Sequence, residues 1–192
     1  TTKIEWADKT WSPWMGCSEA GPGCDHCYAK AMLDTRLHKA PWGPGQPRVH
    51  TENWDSPLRW NKQAAARGHT IKVFPSVCDP FDNEVPPEWR QRFFNLIRDT
   101  PHLTWLLLTK RVGNAARMIA EATEREQQER DADEARRAAQ AAGLDAAGAA
   151  LGPGALPAVA QTASASAAGA WPVKPVTIVV PFPAGGGTNT FA

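Results

Sequence analysis

The chain of 192 residues has a single tyrosine, no run of Lys or Arg, and no apolar stretch near the roughly 20 residues that a membrane-spanning helix needs. With a net charge of +1, the composition makes no case for a nucleic-acid backbone as the default partner, although it leaves nucleic acid open as a substrate. The opening segment TTKIEWADKTW is charged and lacks the apolar core of a secretion signal, so the chain begins like a cytoplasmic protein. From Thr123 to Ala170 there is no aromatic side chain at all, and Ala, Glu, Arg, Gln and Gly dominate. So few bulky apolar groups cannot offset the entropy of ordering a backbone. Eight of the nine tryptophans lie at or before Trp105, which assigns the packed part to about the first 120 residues.

Cysteine is also scarce, but its distribution is informative. Of the four, Cys17, Cys24 and Cys27 fall within eleven residues and Cys78 stands apart. A disulfide framework spreads its cysteines over a small secreted domain, whereas a tight cluster without a signal segment reads as a metal site. The surrounding GCSEAGPGCDHC has the glycines and proline of a loop that turns sharply and brings thiols together. Tyr28 to His38 carries Met32, Leu33 and Leu37 at helical spacing, placing the cysteines at a loop-to-helix junction where thiolate is favoured over thiol.

The rest of the first 120 residues alternates between strand and helix. Residues 1–15 read as extended, with Ile4, Trp6 and Trp11 expected inside. After the Pro/Gly-rich excursion APWGPGQPRV, Trp54, Leu58 and Trp60 are expected to pack. Thr70 to Val77 reads as a strand running into the turn CDPFDNEVPP, and Pro87 to Thr100 as a helix with proline in its first turn. Leu103 to Thr109, LTWLLLT, has the continuous apolar character of a strand covered on both faces. A helix follows from about Asn114. This alternation predicts an α/β fold of parallel βαβ units, whose chemistry gathers at the carboxyl ends of the strands. Cys78, Asp79, Asp82, Lys110 and Arg111 follow strands in the way such an edge requires, and each is equally readable as a turn residue or solvated charge.

Four blocks carry a family resemblance: IEWADKTWSPWMGC, GPGCDHCYA, PSVCDPFDNEVPPEW and LLLTKR, in that order. With them, residues 1–122 resemble the N-terminal part of the phage gene-product thirty-seven/sixty-eight family, the three-Cys-motif proteins, which look like relatives of the radical S-adenosylmethionine enzymes. The resemblance implies a truncated (β/α) barrel-like parallel sheet, inactive alone, and a partner protein encoded nearby. It implies Cys17, Cys24 and Cys27 as ligands of a 4Fe-4S cluster whose remaining iron binds S-adenosylmethionine. Three thiolates leave one iron open for such a ligand. Cofactor-binding roles fall on His26, beside the adenine, and on Asp79 or Asp82, which stand in for a missing Gly-Gly-Glu pattern that meets the methionine amino group. The six residues between Cys17 and Cys24 exceed the superfamily's usual spacing. A rival reading is a structural zinc module completed by His26, His38 or Cys78. The substrate is unknown on any of these readings.

Residues 123–170 form a charged segment, solvated on every face if helical, followed by an Ala/Gly/Ser/Pro-rich stretch that reads as a disordered linker. From Leu151 on, the chain resembles the N-terminus of a Bug-type tripartite tricarboxylate transporter substrate-binding protein, with the strand VTIVVPF and the loop AGGGT, and 171–192 form a short strand-loop fragment of that protein. That resemblance implies a periplasmic carboxylate-binding role for the complete protein. Cut from its own domain, the fragment is expected to bind no carboxylate and to leave its strand as an unpaired edge.

Overall fold

The computed structural model describes residues 2–141 and 177–179. Its elements follow in the order β1 (Lys9–Thr10), β2 (Trp14–Met15), α1 (Tyr28–Lys30, continued by a π-helical turn over Ala31–Arg36), β3 (Val49–His50), α2 (Asp55–Arg67), β4 (Ile71–Phe74), α3 (Pro87–Asp99), β5 (Leu103–Leu108), α4 (Val112–Ala141) and β6 (Thr177–Val179). The fold is mixed α/β. Four strands form one sheet in the order β1-β4-β5-β6, every neighbouring pair parallel, with Lys9 opposite Val73, Ile71 opposite Leu103 and Leu106 opposite Thr177. A small antiparallel ribbon pairs β2 with β3.

The core lies between this sheet and helices α2, α3 and α4. On β5, Leu103, Trp105 and Leu107 are buried while Thr104, Leu106 and Leu108 are half-buried, so this strand is covered on both faces, more deeply on one. Phe93 and Phe94 of α3 meet Trp105 and Phe81, the Phe93 and Trp105 rings crossing edge to face at 5.3 Å. Such aromatic pairs add about 0.5–1.5 kcal/mol beyond the area they bury. Helix α2 was not evident as an element in the sequence. It ends at Gly68, whose left-handed φ of 65° lets its N–H return to the carbonyls of Ala64 and Ala65.

Several expected core positions are placed differently. Trp14 is the fully buried tryptophan of the N-terminal segment, packed edge-on to Phe93, whereas Trp6 remains 49% exposed against the outer side of Phe74. The reason is positional: Trp14 sits on the β2–β3 ribbon folded over the core, and Trp6 precedes edge strand β1. Leu58 is exposed, on the outward face of α2. The helix after β5 begins at Val112 and crosses residue 122 without interruption, to Ala141. Ala115, Met118, Ala122 and Glu126 form its buried stripe. Glu126, in the segment expected to be solvated on every face, is buried and pairs with Arg98 of α3, whereas residues 127–137 are exposed as expected.

The expected linker lies, from residue 142 on, outside the described residues. So does AGGGT, but the strand of the tail does not. Residues Thr177–Val179 pair in parallel with β5, and Ile178 packs against the core, so this strand occupies a sheet position rather than standing unpaired. Among the described residues no helix is long and apolar enough to cross a membrane.

Candidate cysteine site

The carboxyl ends of β4 and β5 converge with the loop between β2 and α1 on one cavity of about 260 Å³. All four cysteines line it, together with His26, Asp79, Lys110 and Arg111. Gly16 begins the loop with φ +100°, and a Cβ there would come within 3.3 Å of the Pro41 carbonyl oxygen. A side chain at that position is therefore both strained and obstructed, and glycine lets Cys17 turn toward the strands. A single 3-10 turn, Pro22–Cys24, buries Cys24, and Cys27 stands directly before α1, as the loop-to-helix reading anticipated. All four thiols are free.

Hydrogen bonds distinguish these sulfurs. Cys17 Sγ accepts from Arg111 Nη1 at 3.2 Å and lies 3.3 Å from the Ser18 carbonyl, to which its thiol donates. Against the expectation that thiolate is favoured here, burial is the largest influence on this thiol and pushes it up to about 11, with Arg111 pulling the other way. Cys24 Sγ accepts a backbone N–H from Ala20 at 3.3 Å. Burial, reinforced by the neighbouring Asp79, holds Cys78 well above the ordinary thiol range.

The two aspartates have different surroundings. Asp79, at the turn after β4, accepts from Phe81 N and Thr109 Oγ1 on one oxygen and from Lys110 N and Arg111 Nη1 on the other. Both oxygens are thus engaged by the protein, and the residue ties the ends of two strands together. Asp82 does not line the cysteine cavity, although its Oδ1 lies 3.9 Å from Arg111 Nη2. It forms an ion pair at 2.7 Å with Arg48, both side chains 1% exposed, and lines a separate polar pocket of about 430 Å³ with Ser18, Glu84, Lys110, Arg111 and Asn114. Arg48 had no signal in the sequence beyond its place in a Pro/Gly-rich stretch.

Lys110 reaches across the cysteine cavity to the Gly23 carbonyl, closing the loop over the strand ends. The Tyr28 hydroxyl donates to the Ser76 carbonyl at 2.6 Å, and Trp42 completes the wall. His26 is exposed at the rim, and His38 is not among the lining residues. Among the described residues no three His, Cys, Asp or Glu side chains are drawn together as the shell of a single metal ion. Ligands of a cluster have a looser requirement, because each thiolate binds a different iron and the sulfurs need only face a common space. Cys17, Cys24 and Cys27 all line one cavity and supply the soft thiolate donors that such a group takes.

A family model described as a protein of unknown function (DUF5131) matches residues 1–163. No curated protein and no solved structure matches the chain. The match takes in every described element from β1 to α4 and all four cysteines, and the chain belongs to the DUF5131 family.

Proposed function

We propose that this domain holds a 4Fe-4S cluster on Cys17, Cys24 and Cys27 and works in the manner of a radical S-adenosylmethionine enzyme, its parallel sheet being part of a (β/α) barrel-like architecture. The observation that carries the reading is a cavity lined by all three motif cysteines at the carboxyl ends of β4 and β5. Parallel α/β sheets bind their ligands at that edge. With one iron left free of protein, a bound cluster supplies an electron to the carbon–sulfur bond of S-adenosylmethionine.

This chain's own residues supply binding and orientation. The thiols of Cys17, Cys24 and Cys27 are the ligands, and they must lose their protons on loading, so uptake weakens in acid. Cys24 is buried and Cys17 and Cys27 are half-buried, which limits water at the sulfurs. His26 at the rim takes the adenine side, and Asp79 or Asp82 the amino-group side. Of the two aspartates, Asp79 lines the cavity, and it acts there chiefly by fixing Arg111.

One observation favours a second reading. Cys78 lines the same cavity and is the fourth thiol that a closed zinc site needs, although among the described residues the donors are not gathered round a single ion. A carboxylate-binding role for the tail has no comparable support. Metal analysis after anaerobic reconstitution with iron and sulfide separates the two readings. About four irons and four sulfides per chain, with a spectrum perturbed by S-adenosylmethionine, is the expected result for this class of cluster. One tightly held zinc with no iron uptake assigns the chain to the structural module instead.

A further inference from the structure

The structure assigns to Arg111 the role of positioning residue for the cysteine site: it fixes Cys17 at the strand edge and supplies the charged hydrogen bond that its sulfur receives. This rests on the cluster reading above and names the residue that regulates it. Arg111 lies just beyond the end of β5 and spreads one guanidinium over two elements. Nη1 donates to Cys17 Sγ at 3.2 Å and to Asp79 Oδ2 at 3.0 Å, while Nη2 donates to the Ser18 carbonyl at 2.7 Å and to Ser18 Oγ at 2.9 Å. A planar fork of donors can make these four contacts at once, and a lysine ammonium cannot reproduce them.

The fork is itself held. Asp79 grips it from below and is fixed in turn by Thr109 Oγ1, Phe81 N and Lys110 N. The first cysteine of the motif is thereby tied, through one side chain, to the turn after β4 and the end of β5. The other two motif thiols lack this tie. Cys24 receives only the neutral Ala20 N–H, and among the described residues no charged group donates to Cys24 or Cys27. Hydrogen bonds to the sulfurs and local positive charge both stabilise the reduced, more negative state of an iron–sulfur cluster. Arg111 therefore acts on the electron-accepting tendency of the site through its hydrogen bond to Cys17 and through its charge.

Reductive titration of the reconstituted protein, followed by electron paramagnetic resonance, is the first test. Arg111→Gln is expected to shift the one-electron reduction equilibrium about tenfold toward the oxidised state, about 59 mV. Arg111→Lys, which keeps the charge but not the fork, should fall between wild type and Arg111→Gln. Arg117→Gln, on an exposed part of α4, should leave it unchanged. A wild-type potential in both Arg111 variants overturns the assignment.

A second arm uses cadmium(II) with the metal-free, reduced protein, read by thiolate-to-cadmium absorbance, and gives an answer even if wild type takes up no iron and the cluster reading itself fails. Arg111→Gln should weaken cadmium binding about tenfold in wild type, as expected for loss of a charged hydrogen bond. In the Cys17→Ala background it should have no further effect. Equal weakening in both backgrounds shows a general structural role and overturns the specific one.

Discussion

Arg111 and Cys17, 94 residues apart in sequence, meet at 3.2 Å between guanidinium and sulfur. Even with that cation beside it, burial raises the Cys17 thiol from 9.0 to about 11, so the folded, metal-free protein binds this proton more tightly than the unfolded chain. A thiol raised in this way contributes stability that is fully present below pH 9 and is lost as pH climbs toward and through 11. The full difference corresponds to about 2–3 kcal/mol. Urea unfolding of the metal-free, reduced protein should therefore show a loss of stability between pH 8.5 and 10.5 that Cys17→Ala reduces. Cys78 contributes in the same direction and accounts for part of what remains. An identical pH dependence in wild type and Cys17→Ala contradicts this placement of the thiol.

The Arg48–Asp82 pair predicts a different behaviour, one of stability alone. Both side chains are buried, and Arg48 also donates to the carbonyls of Gly43 and Gln46. Arg48→Met removes the nearest cation from a buried carboxylate and leaves it the Glu84 N–H and the more distant Arg111, so it should cost about 3 kcal/mol. Replacing both, as Arg48→Met with Asp82→Leu, should cost less than Arg48→Met alone. Chemical denaturation measures both, and an additive double variant would show that the pair does not act as a unit.

Core packing gives a third expectation. Leu107 is fully buried near the carboxyl end of β5, opposite Ile178 of β6. Leu107→Ala should lose about 2–5 kcal/mol through lost burial and the cavity left behind. A cost under about 1 kcal/mol would mean that β5 is not central to the core.

Much of this arrangement was legible in the sequence because it rests on local pattern. The unbroken LTWLLLT run, the helical spacing of Trp89, Phe93, Phe94 and Ile97, and the proline opening α3 translate directly into β5 and α3. The cysteine loop was legible for the same reason, since glycine, proline and thiol spacing are local features. What escaped depends on contacts distant in sequence. Trp6, Trp11 and Trp14 look alike in a segment without clear periodicity, and only the β2–β3 ribbon decides that Trp14 goes inside. Arg48 looks like a solvated charge until Asp82 is brought against it. The site was half visible: placement after strands singled out Asp79, Asp82 and Arg111, but only the folded chain separates Asp79, on the cysteine cavity, from Asp82, on its neighbour.

The tail offers a test of the sheet. Ile178 on β6 is half-buried against the core beside β5. Ile178→Ala should lower stability by about 1 kcal/mol, roughly half the value of a fully buried side chain. Deleting residues 171–192 should bare the β5 edge and increase self-association, measurable by light scattering. Unchanged stability and association after both changes would remove β6 from the fold. Calorimetry with dicarboxylates and tricarboxylates should give no heat of specific binding, because a strand and loop alone cannot enclose such a ligand.

The central claim is that three particular thiols hold an iron–sulfur cluster, and anaerobic reconstitution of the full chain and four single variants tests it most directly. Wild type should turn brown with iron and sulfide and bleach in air. Cys17→Ala, Cys24→Ala and Cys27→Ala should each lose the colour and most of the bound iron, whereas Cys78→Ala should keep both, because an open iron site needs no fourth thiolate. Equal loss in Cys78→Ala, or a wild-type protein that keeps one zinc and takes up no iron, would contradict the account.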